Sequence, residues 1–120
     1  MTVEDRFRDL DVQVSAQDGF EILTVRGEVD MASAPALQAA LEKARQGGKT
    51  LVVDMTQVGF LGSAGLSALL IVSKSAPDQL RVVASHEVAR PIELTGLDKL
   101  LAVYDTLAAA ISAEARDNVS

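Results

Sequence analysis

The hydroxyl of Ser63 is the side chain best placed for chemistry, because it lies in a Gly-Ser-Ala-Gly segment at residues 62–65, directly before an apolar helical pattern. The first N–H groups of a helix lack intrahelical acceptors and carry partial positive charge, so a serine there caps the helix and a phosphate there is stabilised. Ser63 is therefore either a simple N-cap or a phosphorylation site whose modification changes the surface and leaves the fold intact.

A catalytic role for Ser63 finds little support in its surroundings. Residues 61–65 lack the first glycine of the Gly-x-Ser-x-Gly nucleophile elbow, and the single histidine, His86, follows a different predicted strand. No Walker-type lysine follows the glycines of residues 59–65, and the chain has no cysteine for thiolate chemistry or metal binding. We therefore expect a protein that is not an enzyme and uses no metal and no cofactor. A serine hydrolase or nucleotide hydrolase is the least favoured alternative.

Two carboxylates, Glu28 and Asp30, stand two residues apart just after a predicted strand. Such a pair is typical either of acid/base chemistry or, more commonly, of a turn whose side chains cap the next helix. The pattern alone favours the capping role.

The elements that position these residues alternate between strand and helix. Alternating or β-branched apolar runs predict strands at residues 11–15, 20–26, 50–54, 80–84 and 101–104, with a turn at 17–19 that makes the first two a hairpin. Helical periodicity and caps predict helices at 33–46 and 64–75, a third with Pro91 at its first position, and a fourth capped by Asp105. Residues 59–65 are predicted to form a glycine-rich loop. The order ββαβαβαβα predicts an α/β fold with a mixed, mostly parallel central β-sheet and packed helices.

The helix at 64–75 has two distinct predicted faces at about 100° per residue. Its core side carries Leu66, Leu69, Val72 and Ser73. A neighbouring stripe carries Ser63, Ser67, Leu70 and Lys74, with Ile71 beside it. An apolar patch next to a modifiable serine is typical of a protein-docking surface, although burial of Leu70 and Ile71 by the rest of the fold is an equal alternative.

The length of the chain indicates the number of domains, and its charge indicates which partners are unsuitable. The 120 residues suit a single domain over residues 1–120, with flexible ends at 1–10 and 117–120. The net charge is −6 and the 11 basic residues are scattered, so we expect neither nucleic acid nor a membrane surface as a partner. Residues 1–10 lack the apolar core of a signal peptide, and the longest apolar run, 64–72, is too short to span a bilayer. We therefore expect a cytoplasmic protein.

Four segments together resemble the STAS-domain anti-sigma factor antagonists of bacteria. They are Gly-Glu-Val-Asp at 27–30, Leu-Val-Val-Asp-Met at 51–55, Phe-Leu-Gly-Ser-Ala-Gly-Leu at 60–66 and Thr-Gly-Leu at 95–97. Each motif is modest alone, but all four occur in order and with matching spacing. The resemblance extends from about residue 11 to 115 and implies a STAS-like fold for the whole domain.

The resemblance also implies a partner-switching role in bacterial transcription regulation, of the kind used in stress responses. The unmodified family protein binds an anti-sigma factor that is also an ATP-dependent serine kinase, which releases the sigma factor. Phosphorylation of the position matched by Ser63 breaks the complex, and a serine phosphatase restores it. Asp30 matches an acidic position near that serine. The implied partner-binding residues are Asp30, Gly62, Ser63, Ala64, Gly65, Ser67, Leu70 and Ile71.

Two positions depart from the family pattern at the phosphorylation loop. Gly62 stands where the family usually has Asp, and Ala64 stands where it usually has Ser or Thr. Two alternatives follow: a protein that switches by phosphorylation of Ser63, and one that binds its partner constitutively. A STAS scaffold or accessory subunit in another signalling or transport complex is the alternative function within the same fold.

Overall fold

A computed structural model describes residues 10–75 and 79–113 and contains one five-stranded sheet, with strands in the order β1-β2-β3-β4-β5. The strands are β1 (Leu10–Gln17), β2 (Phe20–Val29), β3 (Leu51–Leu61), β4 (Leu80–Ala84) and β5 (Ala102–Tyr104). The helices are α1 (Ala34–Arg45), α2 (Ser63–Ser75), α3 (His86–Leu94) and α4 (Leu107–Ser112), with a short 3-10 helix at Leu97–Lys99. β1 is antiparallel to β2 and the other neighbouring pairs are parallel, so the predicted mixed sheet and element order are confirmed.

The first two strands form the predicted hairpin, with Gln17 paired to Phe20 across a two-residue turn. Asp18 and Gly19 both have positive φ, at 53° and 86°. Tight hairpin turns of this kind match the right-handed twist of the strands they join and favour Asp-Gly for that reason.

Helices cover both faces of the sheet. The larger core cluster joins α1, α2 and α3 to one face, and α4 covers the other face with a smaller cluster built on Val52, Val83 and Ala110. β3 serves both sides, because Leu51 and Val53 belong to the first cluster and Val52 to the second. The predicted stripe of α1 is confirmed: Leu37, Leu41 and Ala44 are buried and Ala40 packs against them.

A buried arginine holds α4 against the sheet. Arg81 of β4 is 7% exposed, and its guanidinium donates to the carbonyls of Ala110 and Ala113. It also lies 5.0 Å from the ring centroid of Phe20 and 6.0 Å from that of Tyr104. A cation at the carbonyl end of a helix is favoured by the helix dipole, so Arg81 satisfies groups that a short helix leaves unpaired.

β2 and β3 run further than their sequence patterns indicated. The predicted end of β2 at residue 26 and the predicted loop at residues 59–61 are wrong, because the parallel ladder continues to the pairs Glu28–Phe60 and Val29–Leu61. A register shift at Gly27, whose φ is 112°, accommodates the extension. Pairing between strands that are distant in sequence outweighs the local glycine signal here.

Two predicted helix starts are also wrong. Pro91 lies inside α3 and not at its first position, because the helix already begins at His86 and buries Val88 and Ile92. The loss of one backbone hydrogen bond at an interior proline is offset by that packing. α4 is capped by Thr106 and not by Asp105: the Thr106 hydroxyl accepts from the Ala109 amide at 3.0 Å.

The ends of the chain are only partly tested. Leu10, predicted to be flexible, is the first residue of β1. The other predicted flexible residues, the helix end predicted at residues 77–78 and the apolar position 115 lie outside the described residues. In the part of the chain that is described, no helix has the length and apolar character needed to cross a membrane.

Candidate functional site

The loop that carries Ser63 begins where two parallel strands end side by side. The Gly62 amide donates a hydrogen bond of 2.9 Å to the carbonyl of Val29, the last residue of β2. This bond joins the Gly-Glu-Val-Asp segment to the Gly-Ser-Ala-Gly segment. It therefore brings the chain neighbours Asp30 and Ser63 to the same edge of the sheet, where ligand and partner sites of open α/β sheets are commonly found.

Ser63 is the first residue of α2 and is exposed to solvent. The carbonyl of Gly62 accepts from the amides of Gly65 at 3.0 Å and Leu66 at 3.1 Å, so Gly62 occupies the N-cap position. The interpretation of Ser63 as a simple N-cap is therefore wrong, whereas the helix predicted from about Ala64 to Ser75 is confirmed to within one residue. Within residues 10–75 and 79–113, the Ser63 hydroxyl has no hydrogen-bond partner, which leaves it open to a partner or a kinase.

Gly65 is required by close packing between α2 and the strand ends. A Cβ at this position would lie 2.5 Å from Leu61 Cδ1 and 2.6 Å from Val29 Cγ1. Real Cβ atoms do not approach carbon that closely, so any larger residue would require Leu61, Val29 or α2 itself to shift. This glycine sets the position of the helix that presents Ser63.

Gly62 lies under an aromatic ring. A Cβ at position 62 would lie 3.1 Å and 3.3 Å from two ring carbons of Phe60, and the Phe60 side chain is 50% exposed. The glycine therefore lets the ring rest against the loop backbone. Ala64, the other departure from the family pattern, is partly buried against the main core.

Asp30 organises the turn that leads into α1. Its Oδ1 accepts from the amides of Ala32 and Ser33, both at 3.0 Å, and from the Ser33 hydroxyl at 3.1 Å. Ser33 Oγ in turn accepts from the Asp30 amide at 3.0 Å, and its single proton is shared between Asp30 Oδ1 and the Glu28 carbonyl, which lies 2.8 Å away. The hydrogen bonds from Ser33, first the backbone amide and then the hydroxyl, lower the pKa of Asp30 below its ordinary value. The carboxylate thus stays charged and holds the turn that precedes α1, whose N-cap residue is Ser33, whereas Glu28 takes part in this network only through its backbone carbonyl.

The two predicted faces of α2 separate as expected. Leu66, Leu69, Val72 and Ser73 are all buried. On the other side, Ser67 is exposed, Leu70 is partly buried and Ile71 is 47% exposed. Residues 10–75 and 79–113 therefore leave Ile71 uncovered, and Ile71 and Ser67 lie on the helix that begins with Ser63.

Two exposed apolar side chains near the loop were not predicted as site residues. Met31 follows Asp30 and is 80% exposed, and Phe60 precedes the loop at 50%. Met31 could have been identified from the sequence as a large apolar residue inside a polar turn. Phe60 could have been identified because it is the first residue of the motif at 60–66. His86 is exposed and forms no hydrogen bond with Ser63 in the described structure, and no cluster of potential metal ligands occurs among the residues it describes.

Comparison with known proteins covers most of the chain. The model of the STAS domain family matches residues 11–110. The anti-sigma-F factor antagonist RsfB of Mycobacterium tuberculosis is 37% identical over 105 residues, which cover 84% of this chain and 86% of the relative. An anti-sigma-B factor antagonist of Staphylococcus aureus is 28% identical over 102 residues, which cover 81% of this chain and 94% of that protein.

The tertiary structure is similar to a solved relative. The crystal structure of an anti-sigma factor antagonist from Mycobacterium paratuberculosis superposes with a TM-score of 0.80 at 37% sequence identity. The match covers 86% of this chain and 92% of that one. The similarity therefore extends over most of the fold.

Proposed function

Because this chain belongs to the STAS domain family, we propose that it is an anti-sigma factor antagonist, which binds an anti-sigma factor and thereby frees a sigma factor for transcription. The relatives that are 37% and 28% identical carry this function in their names, and their alignments cover more than four fifths of this chain. The protein acts by binding and performs no catalysis of its own. It works in the cytoplasm, where sigma factors meet RNA polymerase.

The observation that carries this proposal is the position of Ser63. An exposed hydroxyl with no partner in the described structure stands at the first position of a helix, at the edge where β2 and β3 end together. Ser67 and Ile71 extend an exposed surface along the same helix, and Asp30 directly follows Val29, whose carbonyl accepts from the Gly62 amide. This partner surface, defined by Asp30, Ser63, Ser67 and Ile71, combines a polar centre with an apolar side chain, as protein interfaces commonly do.

Phosphorylation of Ser63 is the proposed switch. A phosphate adds about −1.5 to −2 charges at neutral pH. The free amides and the dipole at the start of α2 stabilise that charge, so the fold survives. A partner that covers Ser63 must instead desolvate the phosphate, and a loss of about 3 kcal/mol weakens binding roughly a hundredfold.

The enzymes of the switch are an anti-sigma factor that phosphorylates Ser63 and a phosphatase that removes the phosphate. Gly62 supplies no carboxylate beside Ser63, so a kinase that acts here recognises the loop through its backbone, its flanking apolar residues or Asp30. Without such a kinase, the same surface binds its partner constitutively. Phosphorylation of Ser63 and constitutive binding are distinguished by whether phosphate is found on Ser63 after incubation with the kinase and ATP.

The test uses the purified full-length chain and the kinase-type anti-sigma factors encoded in the same genome, each examined by isothermal titration calorimetry. We expect one of them to bind the wild type and Ser63→Ala, and to bind Ser63→Glu roughly a hundredfold more weakly. ATP is then added to the mixture, and mass spectrometry identifies which residue of the chain carries any phosphate. Release of the cognate sigma factor from its complex provides the functional readout.

The outcomes separate binding from switching. A failure of every such anti-sigma factor to bind the wild type would contradict the proposed function. Binding without phosphate at Ser63, with a kinase active on a control substrate, would contradict the switch and support constitutive binding. Equal thermal melts for the two Ser63 variants are the control for folding.

A further inference from the structure

A groove of about 370 Å³ lies between the end of β3 and one side of α3. Its walls include Phe60, Leu61, His86, Arg90, Pro91 and Leu94, and they are mostly apolar. This Phe60 groove contains two of the six exposed large apolar side chains of the described structure, Phe60 at 50% and Leu94 at 75%. Single exposed apolar residues are ordinary on protein surfaces, but two that line one concavity form a patch of the kind that partners cover.

The wall formed by α3 also contains an interruption of the helical hydrogen-bond ladder. Pro91 has no N–H, so it cannot donate to the carbonyl of Glu87 one turn earlier, and both residues line the groove. Arg90 adds a cation on the same wall. An apolar floor with a few polar groups at the rim is the usual chemistry of an anchor pocket in a protein interface.

The groove is continuous with the partner surface through a single side chain. The Phe60 ring forms one wall of the groove and also rests on Gly62, where a Cβ would be 3.1 Å from it. Gly62 is directly followed by Ser63. The groove therefore adjoins the loop that carries Ser63, and a protein that covers Ser63 can contact both. Because the Phe60 ring packs against Gly62, a movement of the ring also affects the loop backbone.

We propose that the Phe60 groove is a second anchor for the anti-sigma factor and receives one large apolar side chain of that protein. This inference rests on the proposed function and names a part of the interface that the Ser63 surface alone does not include. Seating of the side chain fixes the Phe60 ring against Gly62 and so couples the anchor to the Ser63 loop. Gly62 serves recognition here by leaving room for the ring.

The test compares substitutions to aspartate at two exposed aliphatic residues, one inside the groove and one outside it. Leu94→Asp places a carboxylate in the groove, and Val14→Asp places one on the edge strand β1, where Val14 is 55% exposed. In calorimetry with the anti-sigma factor that binds the wild type, we expect Leu94→Asp to weaken binding at least roughly tenfold and Val14→Asp to change it by less than about twofold. Thermal melts establish that both variants are folded.

A second measurement does not depend on substitution. In methyl NMR spectra of the full chain, the Leu94 methyl signals should shift on addition of the anti-sigma factor and become protected from a soluble paramagnetic agent. The Val14 methyl signals should keep their positions.

Three results overturn the inference. If Leu94→Asp binds like the wild type while Ser63→Glu loses binding, the proposed function stands and the groove is not an anchor. If Leu94→Asp instead disperses a homodimer in analytical ultracentrifugation and leaves the anti-sigma complex intact, the occupant is a second copy of this chain. If no anti-sigma factor binds the wild type, both proposals fail together.

Discussion

The amide of Gly62 and the carbonyl of Val29 are joined by a hydrogen bond of 2.9 Å, which ties the start of the Ser63 loop to the end of β2. Gly65, in the first turn of α2, packs against the same strand ends, where an added Cβ would lie only 2.6 Å from Val29 Cγ1, so both glycines adjoin a single valine. Because of this contact the partner surface is built on rigid strand ends and not on a free loop. Changes that loosen the contact should therefore affect both stability and binding.

Substitution of Gly65 by alanine should destabilise the protein. A Cβ there would lie 2.6 Å from Val29 Cγ1, and overpacking of this kind typically costs about 1–3 kcal/mol in the free energy of unfolding. Gly59→Ala is the matched control, since a Cβ at 59 would approach only Glu28 Oε2, at 3.7 Å. Urea unfolding measures both variants, and an equal stability for the two would contradict the packing explanation.

Two substitutions at Asp30 should distinguish its structural role in the turn before α1 from a role in recognition of the anti-sigma factor. Asp30→Ala removes the acceptor of the Ala32 and Ser33 amides and should lower the free energy of unfolding. Asp30→Asn retains an oxygen acceptor and should remain close to wild-type stability, while it loses the charge that the partner meets. Weaker anti-sigma binding by Asp30→Asn at unchanged stability would support recognition, whereas wild-type binding would leave Asp30 a cap only.

The contribution of Asp30 to stability should depend on pH in one direction. Its hydrogen bonds with Ser33 lower the folded-state pKa below the ordinary value of 3.8, so the folded state holds the proton less tightly than the unfolded state. The stabilisation is therefore present above pH 3.8 and is lost as the pH falls through the folded-state pKa. The stability difference between wild type and Asp30→Ala, followed by urea unfolding from neutral to acidic pH, should shrink in that range, and a difference that grows would contradict the assignment.

Ile71 should behave as an interface residue and Leu69 as a core residue. Ile71 is 47% exposed, so Ile71→Asp should cost about 1 kcal/mol of stability and weaken anti-sigma binding much more. Leu69 is fully buried, and Leu69→Asp should cost about 4 kcal/mol or more because it buries an unpaired charge. Circular-dichroism melts together with calorimetry distinguish the two. Unfolding of Ile71→Asp would show that the assignment of its face is wrong.

Arg81 should prove necessary for the attachment of α4. Arg81→Met removes the donor to the carbonyls of Ala110 and Ala113 and should cost about 1.5–3 kcal/mol. Arg26→Met is the control: its ion pair with Asp11 is exposed at 3.2 Å, and such pairs contribute about 0–1 kcal/mol. Hydrogen exchange should show faster opening of α4 in Arg81→Met alone. Unchanged protection of α4 would contradict the proposed anchoring.

Patterns within single elements were sufficient to predict much of the fold. The stripe of α1 and the buried side of α2 follow from helical periodicity, because burial on one face of a helix imposes a regular spacing of apolar residues. β4 was predicted with its observed bounds from a short β-branched run, and all five of its residues are buried. The family motifs in the sequence likewise indicated Ser63 and Asp30 as neighbours at one site. The regular elements depend on residues that are close in sequence, whereas the nearness of Asp30 and Ser63, which are far apart along the chain, was indicated only by the family resemblance.

Only the tertiary structure determined the pairing and packing between segments that are distant in sequence. Residues 59–61 are strand and not loop because Phe60 and Leu61 pair with β2, and Pro91 is interior to α3 because that helix packs from His86 onward. Gly62 caps α2 in place of Ser63 because the bond to Val29 fixes its orientation. The exposure of Phe60 and Leu94 in one groove also has no local sequence signal. Such features arise from long-range pairing and packing, whose energies outweigh the small preferences of single residues.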